Sequence, residues 1–251
     1  MNPLQRVLIE KAGHEHGFEN VISVPNDEVL LGSARHRTQA SISLHDDTWL
    51  LAFSSGLLSG ELARSFPNVE RFNGKFVATS LDKLGKLLRR AAALAQSLPN
   101  QAAVDYEKQV NKALAELPKN GTEIERMVRQ RVGQNTFRNA MMDYWGSACA
   151  VTGITVSEVL RASHAKPWAD CVNDAERLDV FNGFLLSANL DALFDRFLIT
   201  FNDDGTMHVS SKLTMDQRIS LGLNSAFSLR WVAKEHKHYL QYHRNIFIEG
   251  F

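Results

Sequence analysis

The sequence predicts an α+β protein of two domains, and three observations carry that expectation. Short β-favouring runs crowd the first hundred residues, a polar, breaker-rich stretch occupies 100–121, and a strand–loop–strand–helix pattern lies between about 160 and 210. With 251 residues and 44% hydrophobic content, the chain has apolar material for a core in each domain. The expected organisation is a small N-terminal α+β domain (1–99), a linker (100–121) and a C-terminal domain (122–251) that opens with a helical lead-in.

Each element has a local reason. Asn2 followed by Pro3 reads as a cap and a proline at the first helical position, and Leu4, Val7 and Leu8 supply an apolar face that ends near Gly13. Strands are expected at 21–24, 29–31, 40–44 and 48–53, the last two joined by a turn at His45, Asp46 and Asp47. Ser80 caps a helix whose Leu81, Leu84, Leu87, Leu88, Ala91 and Leu94 share one side, and Pro99 closes it. A modest helix at 106–117 precedes Pro118-Lys119-Asn120-Gly121. Thr122 and Glu125 suggest a capping box for a helix broken at Gly133, with a second piece at 135–145. A last helix is expected at about 229–247.

Composition limits the function classes. Lys plus Arg and Asp plus Glu are equal at 28 each, so any hold on nucleic acid must come from local basic patches. Cys149 and Cys171 are too few for a disulfide framework or an all-cysteine zinc site. No run of 18 apolar residues and no charged leader before an apolar stretch is present, so a cytoplasmic protein without membrane contact is expected.

The residues that suggest chemistry lie between Leu160 and His208. An apolar strand ends at Ser163-His164, a proline-containing loop leads to Asn182-Gly183, and the apolar run Phe184-Leu185-Leu186 is followed by a helix with Asp191 and Asp195. Residues four apart share a helix face, so these two carboxylates can face one cation. With an ordinary pKa of about 6.5, a histidine is mostly neutral at pH 7, which makes His164 a candidate general base. Phosphodiester hydrolysis needs such a base and a cation to offset developing charge. Two carboxylates and few nitrogen ligands favour Mg²⁺ or Mn²⁺.

Bland readings compete with each assignment. A lone histidine at a strand end is usually structural, Asn-Gly is a common turn, and Asp191 and Asp195 could be a solvated face, with Asp195 paired to Arg196, Arg177 or Lys166. Arg126, Arg129, Arg131 and Arg138 are by default the charged side of amphipathic helices; with Lys166 they are also candidates for DNA phosphate contact. The cluster His236, His238, His243 and Arg244 reads as packing and backbone contact rather than a second metal site.

Ser163-His164-Ala165-Lys166-Pro167-Trp168, then 182–186, then Asp191-Ala192-Leu193-Phe194-Asp195 resemble the HNH, or ββα-metal, endonuclease superfamily over roughly 123–247. The segments 131–134, 137–138 and 149–153 resemble the lead-in of a bacterial restriction-endonuclease-like subgroup, and Asp203-Asp204-Gly205 its closing hairpin. The resemblance implies that His164 is the general base and that Asn182 braces the loop that orients it. It also implies that Asp191 and Asp195 bind the metal. Where many members carry Asp or His just before the base, this chain has Ser163, a weak ligand. A metal-dependent DNA endonuclease in restriction of foreign or modified DNA is the expected function, with DNA as partner and a homodimer left open. A cleavage-deficient nucleic-acid-binding module and a toxin nuclease with an immunity partner remain alternatives. The first 99 residues, with Arg35, Arg37, Trp49, Phe53, Phe66 and Phe72, are expected to recognise the target or another partner.

Overall fold

The computed structural model describes residues 1–23, 28–99, 101–116, 122–223 and 225–247. The expected breaker at 118–121 and residues Val24 and Leu117 lie outside that set. The chain forms an α+β structure in two compact units, Met1–Gln96 and Ser97–Phe251.

In the first unit, α1 (Pro3–Glu15) starts as a capping box: Asn2 Oδ1 accepts from the Gln5 amide at 2.8 Å, and the Asn2 amide donates to Gln5 Oε1 at 2.9 Å. Its buried face is Ile9, Ala12 and Gly13, whereas Leu4 is 68% and Val7 56% exposed, contrary to the expected stripe. Gly13 allows this face to approach closely, since a Cβ there would collide with the Leu31 side chain and the Phe18 carbonyl oxygen. The strands β1 (Asn20–Ser23), β2 (Glu28–Gly32), β3 (Ala40–His45) and β4 (Thr48–Phe53) follow as expected. Asp46 and Asp47, at φ 44° and 60°, make the tight β3–β4 turn.

Two features are not anticipated by the sequence reading. One is α2 (Gly56–Ser65), capped by Ser55 accepting from the Leu58 amide at 3.2 Å. The other is the hairpin of β5 (Arg71–Phe72) and β6 (Lys75–Ala78), turned at Asn73-Gly74 with both residues at positive φ. The resulting antiparallel sheet runs β1-β2-β3-β4-β6-β5. Ser80 caps α3 (Leu81–Ser97) by accepting from the Lys83 amide at 3.2 Å, and the helix buries Leu84, Leu87, Leu88, Ala91 and Leu94.

The second unit begins with α4 (Gln101–Ala115), within the stretch expected to be a linker. It packs on α5 (Thr122–Trp145), burying Ala102, Tyr106 and Val110. The expected break at Gly133 is absent, and α5 is continuous for 24 residues. Gly133 is there for space: a Cβ would collide with the Trp168 indole and approach Tyr106 at 3.4 Å. Glu125 accepts from Arg129 Nε at 3.0 Å, an i,i+4 pair.

The central motif is an antiparallel ribbon of β7 (Leu160–His164) and β8 (Gly183–Ser187), with α6 (Asp174–Arg177) in the loop between them and α7 (Ala188–Asp195) packed against both strands. All of β8 is buried. Then come β9 (Ile199–Phe201) and β10 (Met207–Val209), joined through Gly205 at φ 91°, α8 (Met215–Ser220), and α9 (Lys237–Ile246). The last helix is shorter than expected because the preceding residues serve as extended chain. The Leu229 amide donates to the Gly205 carbonyl at 2.9 Å and the Arg230 amide to the Ala150 carbonyl at 2.8 Å. Phe184 centres the core, against Trp145, Phe194, Phe201 and His236. Among the described residues no helix is long and apolar enough to cross a membrane.

Register places His164 opposite Gly183 and Ser163 opposite Phe184. A Cβ at 183 would collide with the Ser163 carbonyl oxygen, a backbone atom that cannot swing away. Gly183→Ala is therefore expected to cost about 3 kcal/mol or more, at the top of the overpacking range. Thermal denaturation checks this, and an unchanged midpoint would contradict the stated contact.

Candidate active site

The loop from Ala165 to Phe181 is tied by one side chain. Asn182, with no exposed surface, accepts from the Lys166 amide through Oδ1 at 2.8 Å, which fixes the orientation of its amide. Its Nδ2 faces the Glu176 carbonyl at 3.1 Å, the Lys166 carbonyl at 3.3 Å and Cys171 Sγ at 3.3 Å. One amide thus joins the start of the loop, its middle and α6 to the head of β8. A second knot surrounds it: Glu176 accepts from Lys166 Nζ at 2.8 Å and from the Val172 amide at 2.7 Å. The glutamate carboxyl opposes burial through those bonds and ends below its ordinary pKa.

His164 lies flat on the Phe137 ring, with centroids 3.8 Å apart and planes 18° from parallel, and meets the edge of Trp168 at 5.7 Å. Its Nε2 is 2.8 Å from the Arg177 carbonyl oxygen. A carbonyl can only accept, so Nε2 carries the proton and, in the neutral ring, Nδ1 keeps the lone pair. Burial pushes the His164 pKa down to about 4 despite that carbonyl, which leaves the ring neutral at pH 7. The structure thus provides a neutral imidazole in one defined tautomer, the state proton abstraction needs.

Successive strand residues point to opposite faces. His164 meets Phe137 of α5, whereas Ser163 turns to α7 and its hydroxyl donates to Asp191 Oδ1. His164 and Asp191 are therefore linked through the neighbouring backbone positions 163 and 164. Asp195, one turn beyond Asp191, is surface-exposed, yet desolvation of its carboxyl and then the Asp191 charge push its pKa up to about 6; Arg196 pulls the other way. Of the other partners considered for Asp195, Lys166 binds Glu176, and Arg177 binds Asp174 at 2.8 Å.

The donor set suits a hard cation. Two carboxylates and a hydroxyl are oxygen ligands, and a cation would offset both the desolvation and the Asp191 charge that raise Asp195. Among the described residues no group of three or more His, Cys, Asp or Glu side chains is arranged to hold a metal, so water and a substrate phosphate would have to complete the coordination.

Residues 149–202 match the family model described as HNH endonuclease. This stretch, which holds β7, β8 and α7, is similar to an HNH endonuclease domain. No curated protein matches the chain. Within the matched stretch and around it, the basic residues divide. Arg138 is tied to the chain, donating to the Leu160 carbonyl at 2.6 Å and the Ser157 carbonyl at 3.0 Å, so it anchors the start of β7 on α5. Arg129 pairs with Glu125 at 3.0 Å and Glu107 at 3.7 Å, and Lys166 with Glu176. Arg126 and Arg131 are exposed, and Arg126 edges a groove of about 560 Å³ that Trp168 and Arg177 also line.

Sequence reasoning misses Phe137 as the platform beneath the histidine, and the Glu176 and Arg177 ties within the loop. Phe137-Arg138 is visible only as part of a lead-in, and nothing local marks either residue as a neighbour of His164. Of the C-terminal histidines, His236 and His243 are buried and structural, whereas His238 is exposed. His243 sits between the Thr200 hydroxyl at 2.9 Å and the Phe194 carbonyl at 3.0 Å and stacks on Phe194 at 3.8 Å; His236 Nδ1 accepts from the Ala233 amide at 3.1 Å.

Burial also lowers the His243 pKa to about 4. A histidine depressed in the folded state binds its proton more readily when unfolded, so its stabilising effect is complete above about pH 6.5 and is lost as pH falls towards 4. Unfolding midpoints are expected to drop across that window. His243→Gln should flatten part of the drop, by no more than about 3 kcal/mol. A pH profile identical to wild type would contradict the burial argument.

Proposed function

We propose that the C-terminal unit is a metal-dependent endonuclease that hydrolyses phosphodiester bonds of DNA. The observation that carries this reading is the environment of His164: a neutral ring, held flat on Phe137, with Nε2 committed to the Arg177 carbonyl and Nδ1 left as the basic atom. A water deprotonated at Nδ1 attacks phosphorus, the bond to the 3′ oxygen breaks, and the products are a 5′-phosphate and a 3′-hydroxyl. Asn182 holds the loop that aims the ring. Asp191, Asp195 and the Ser163 hydroxyl would hold Mg²⁺ or Mn²⁺, which when bound neutralises charge on the phosphate and the leaving oxygen.

In this reading the exposed Arg126 and Arg131 take DNA phosphates, while Arg129, Arg138 and Lys166 act first as internal ties. Restriction of foreign or modified DNA is the cellular role we assign, with target choice given to the first unit. There Arg35 and Arg37 are exposed, and Phe72, 41% exposed, packs on His45 at 4.6 Å. Phe53 is partly buried and packs against the core residues Phe18 and Phe76. One observation favours the cleavage-deficient alternative: the Ser163 hydroxyl occupies an oxygen of Asp191 where a stronger ligand could have stood.

Plasmid nicking with methylated, hydroxymethylated and unmodified DNA, with and without Mg²⁺ or Mn²⁺, separates the two readings. His164→Ala is expected to lower the cleavage rate at least 10²–10⁴-fold while DNA affinity stays near wild type. Cleavage by that variant at the wild-type rate would remove His164 as the base. Asp191→Ala should raise the metal concentration needed for half-maximal rate by about 10-fold or more without lowering the unfolding midpoint. If only Asp195→Ala has that effect, the metal rests chiefly on Asp195.

A further inference from the structure

The His164 tautomer depends on a carbonyl, and that carbonyl belongs to the last residue of the one-turn helix α6. Four residues have little intrinsic helical stability, so the position of this oxygen must be set by side chains. The guanidinium of Arg177 is the principal tie. Its Nε donates to the Trp168 carbonyl at 3.2 Å, its Nη2 to the Cys171 carbonyl at 2.8 Å, and its Nη1 to Asp174 Oδ1 at 2.8 Å. It also lies over the Trp168 ring, 5.7 Å from the centroid. One planar fork therefore gathers both ends of the short turn after Pro167 and the first residue of α6, while the same residue presents its carbonyl to the imidazole.

Resting on the nuclease reading above, we propose that Arg177 is a positioning residue for cleavage, its guanidinium holding α6 so that its own carbonyl accepts the hydrogen bond from the Nε2–H of His164 and leaves Nδ1 to accept a proton from water. Trp168 is part of the same assembly. It is the edge neighbour of His164, it fills the space that Gly133 leaves on α5, and its carbonyl is one of the three acceptors of Arg177. The neighbouring cation Lys166 does not share this role, since it is engaged with Glu176 on the other side of the loop. A lysine at 177 would carry the charge on a single nitrogen and could not span three acceptors in the plane of the fork.

The test uses the full chain, with the His164 tautomer read from the imidazole ¹⁵N shifts and cleavage of plasmid DNA in Mn²⁺ or Mg²⁺ resolved into kcat and KM. Wild type is expected to show the Nε2–H form. Arg177→Ala should give a mixture of tautomers and a kcat lower by about 10–100-fold, with KM within about 2-fold. Added guanidinium ion at low concentration should recover part of the kcat. If Arg177→Ala fails to fold, Arg177→Lys is read by the same measurements and should show the same loss. A variant with the wild-type tautomer overturns the proposal, whether its kcat is unchanged or lowered. So does a rise in KM with unchanged kcat, which would make Arg177 a phosphate ligand. Should wild type not cut DNA at all, the nuclease reading fails, and the tautomer measurement alone still decides whether Arg177 positions the ring.

Discussion

The buried amide of Asn182 is the constraint on which the second unit depends. The long loop between the paired strands, residues 165–182, has little reason of its own to adopt one conformation, and ordering it costs entropy at every residue. Asn182 offsets that cost by meeting backbone groups of Lys166 and Glu176 from a position with no water contact. In such a place an unmet donor or acceptor is penalised by about 1–3 kcal/mol, so alternative loop arrangements that leave the amide unpaired are disfavoured. The position of Gly183 follows directly, because the next residue must pass so near the Ser163 carbonyl that no side chain fits. Asparagine and glycine are thus adjacent for two different reasons, one a hydrogen-bond inventory and the other a close approach of backbones.

The imidazole shows how burial and hydrogen bonding can compete yet both serve one state. The Arg177 carbonyl favours the charged ring, since it accepts a hydrogen bond from Nε2–H, while the Phe137 face and the enclosing protein disfavour charge. Burial dominates, with a pKa of about 4, but the carbonyl still decides which nitrogen is protonated. A base of low pKa is a weak proton acceptor in water. In the proposed role of His164 its value lies in availability, since almost no ring is lost to protonation at neutral pH, and orientation must supply the rest.

Much of this is legible in the sequence because it obeys local rules. The β3–β4 turn is written in Asp46-Asp47, α1 in Asn2-Pro3, and the ribbon with its helix in the run from Ser163 to Asp195. What stays hidden depends on contacts between distant segments. Gly133 looks like a helix breaker until Trp168, far along the chain, is seen to occupy its vacant side. Leu4 and Val7 form a plausible apolar stripe, yet tertiary packing selects Ile9, Ala12 and Gly13. The segment 229–233 has the composition of a helix but is held extended by hydrogen bonds to Gly205 and Ala150. The Asn73-Gly74 hairpin carries a turn signal, but strands of only two and four residues are too short to show an alternating pattern.

At the site, the sequence marks residue types but cannot show what each is attached to. Equal spacing on α7 makes Asp191 and Asp195 look equivalent, yet Asp191 holds the Ser163 hydroxyl while Asp195 is partly desolvated beside it and bears the consequence of their repulsion. The arginines separate in the same way. Arg138 and Arg129 satisfy acceptors inside the unit, whereas Arg126 and Arg131 face solvent, so charge counted along α5 overstates the charge offered to a ligand. A chain with no net charge, several of whose cations are committed internally, has little long-range attraction for a polyanion. In the proposed reading, recognition rests on short-range fit at the end of β7, where His164 faces α5 and Ser163 meets Asp191 of α7 on the other face.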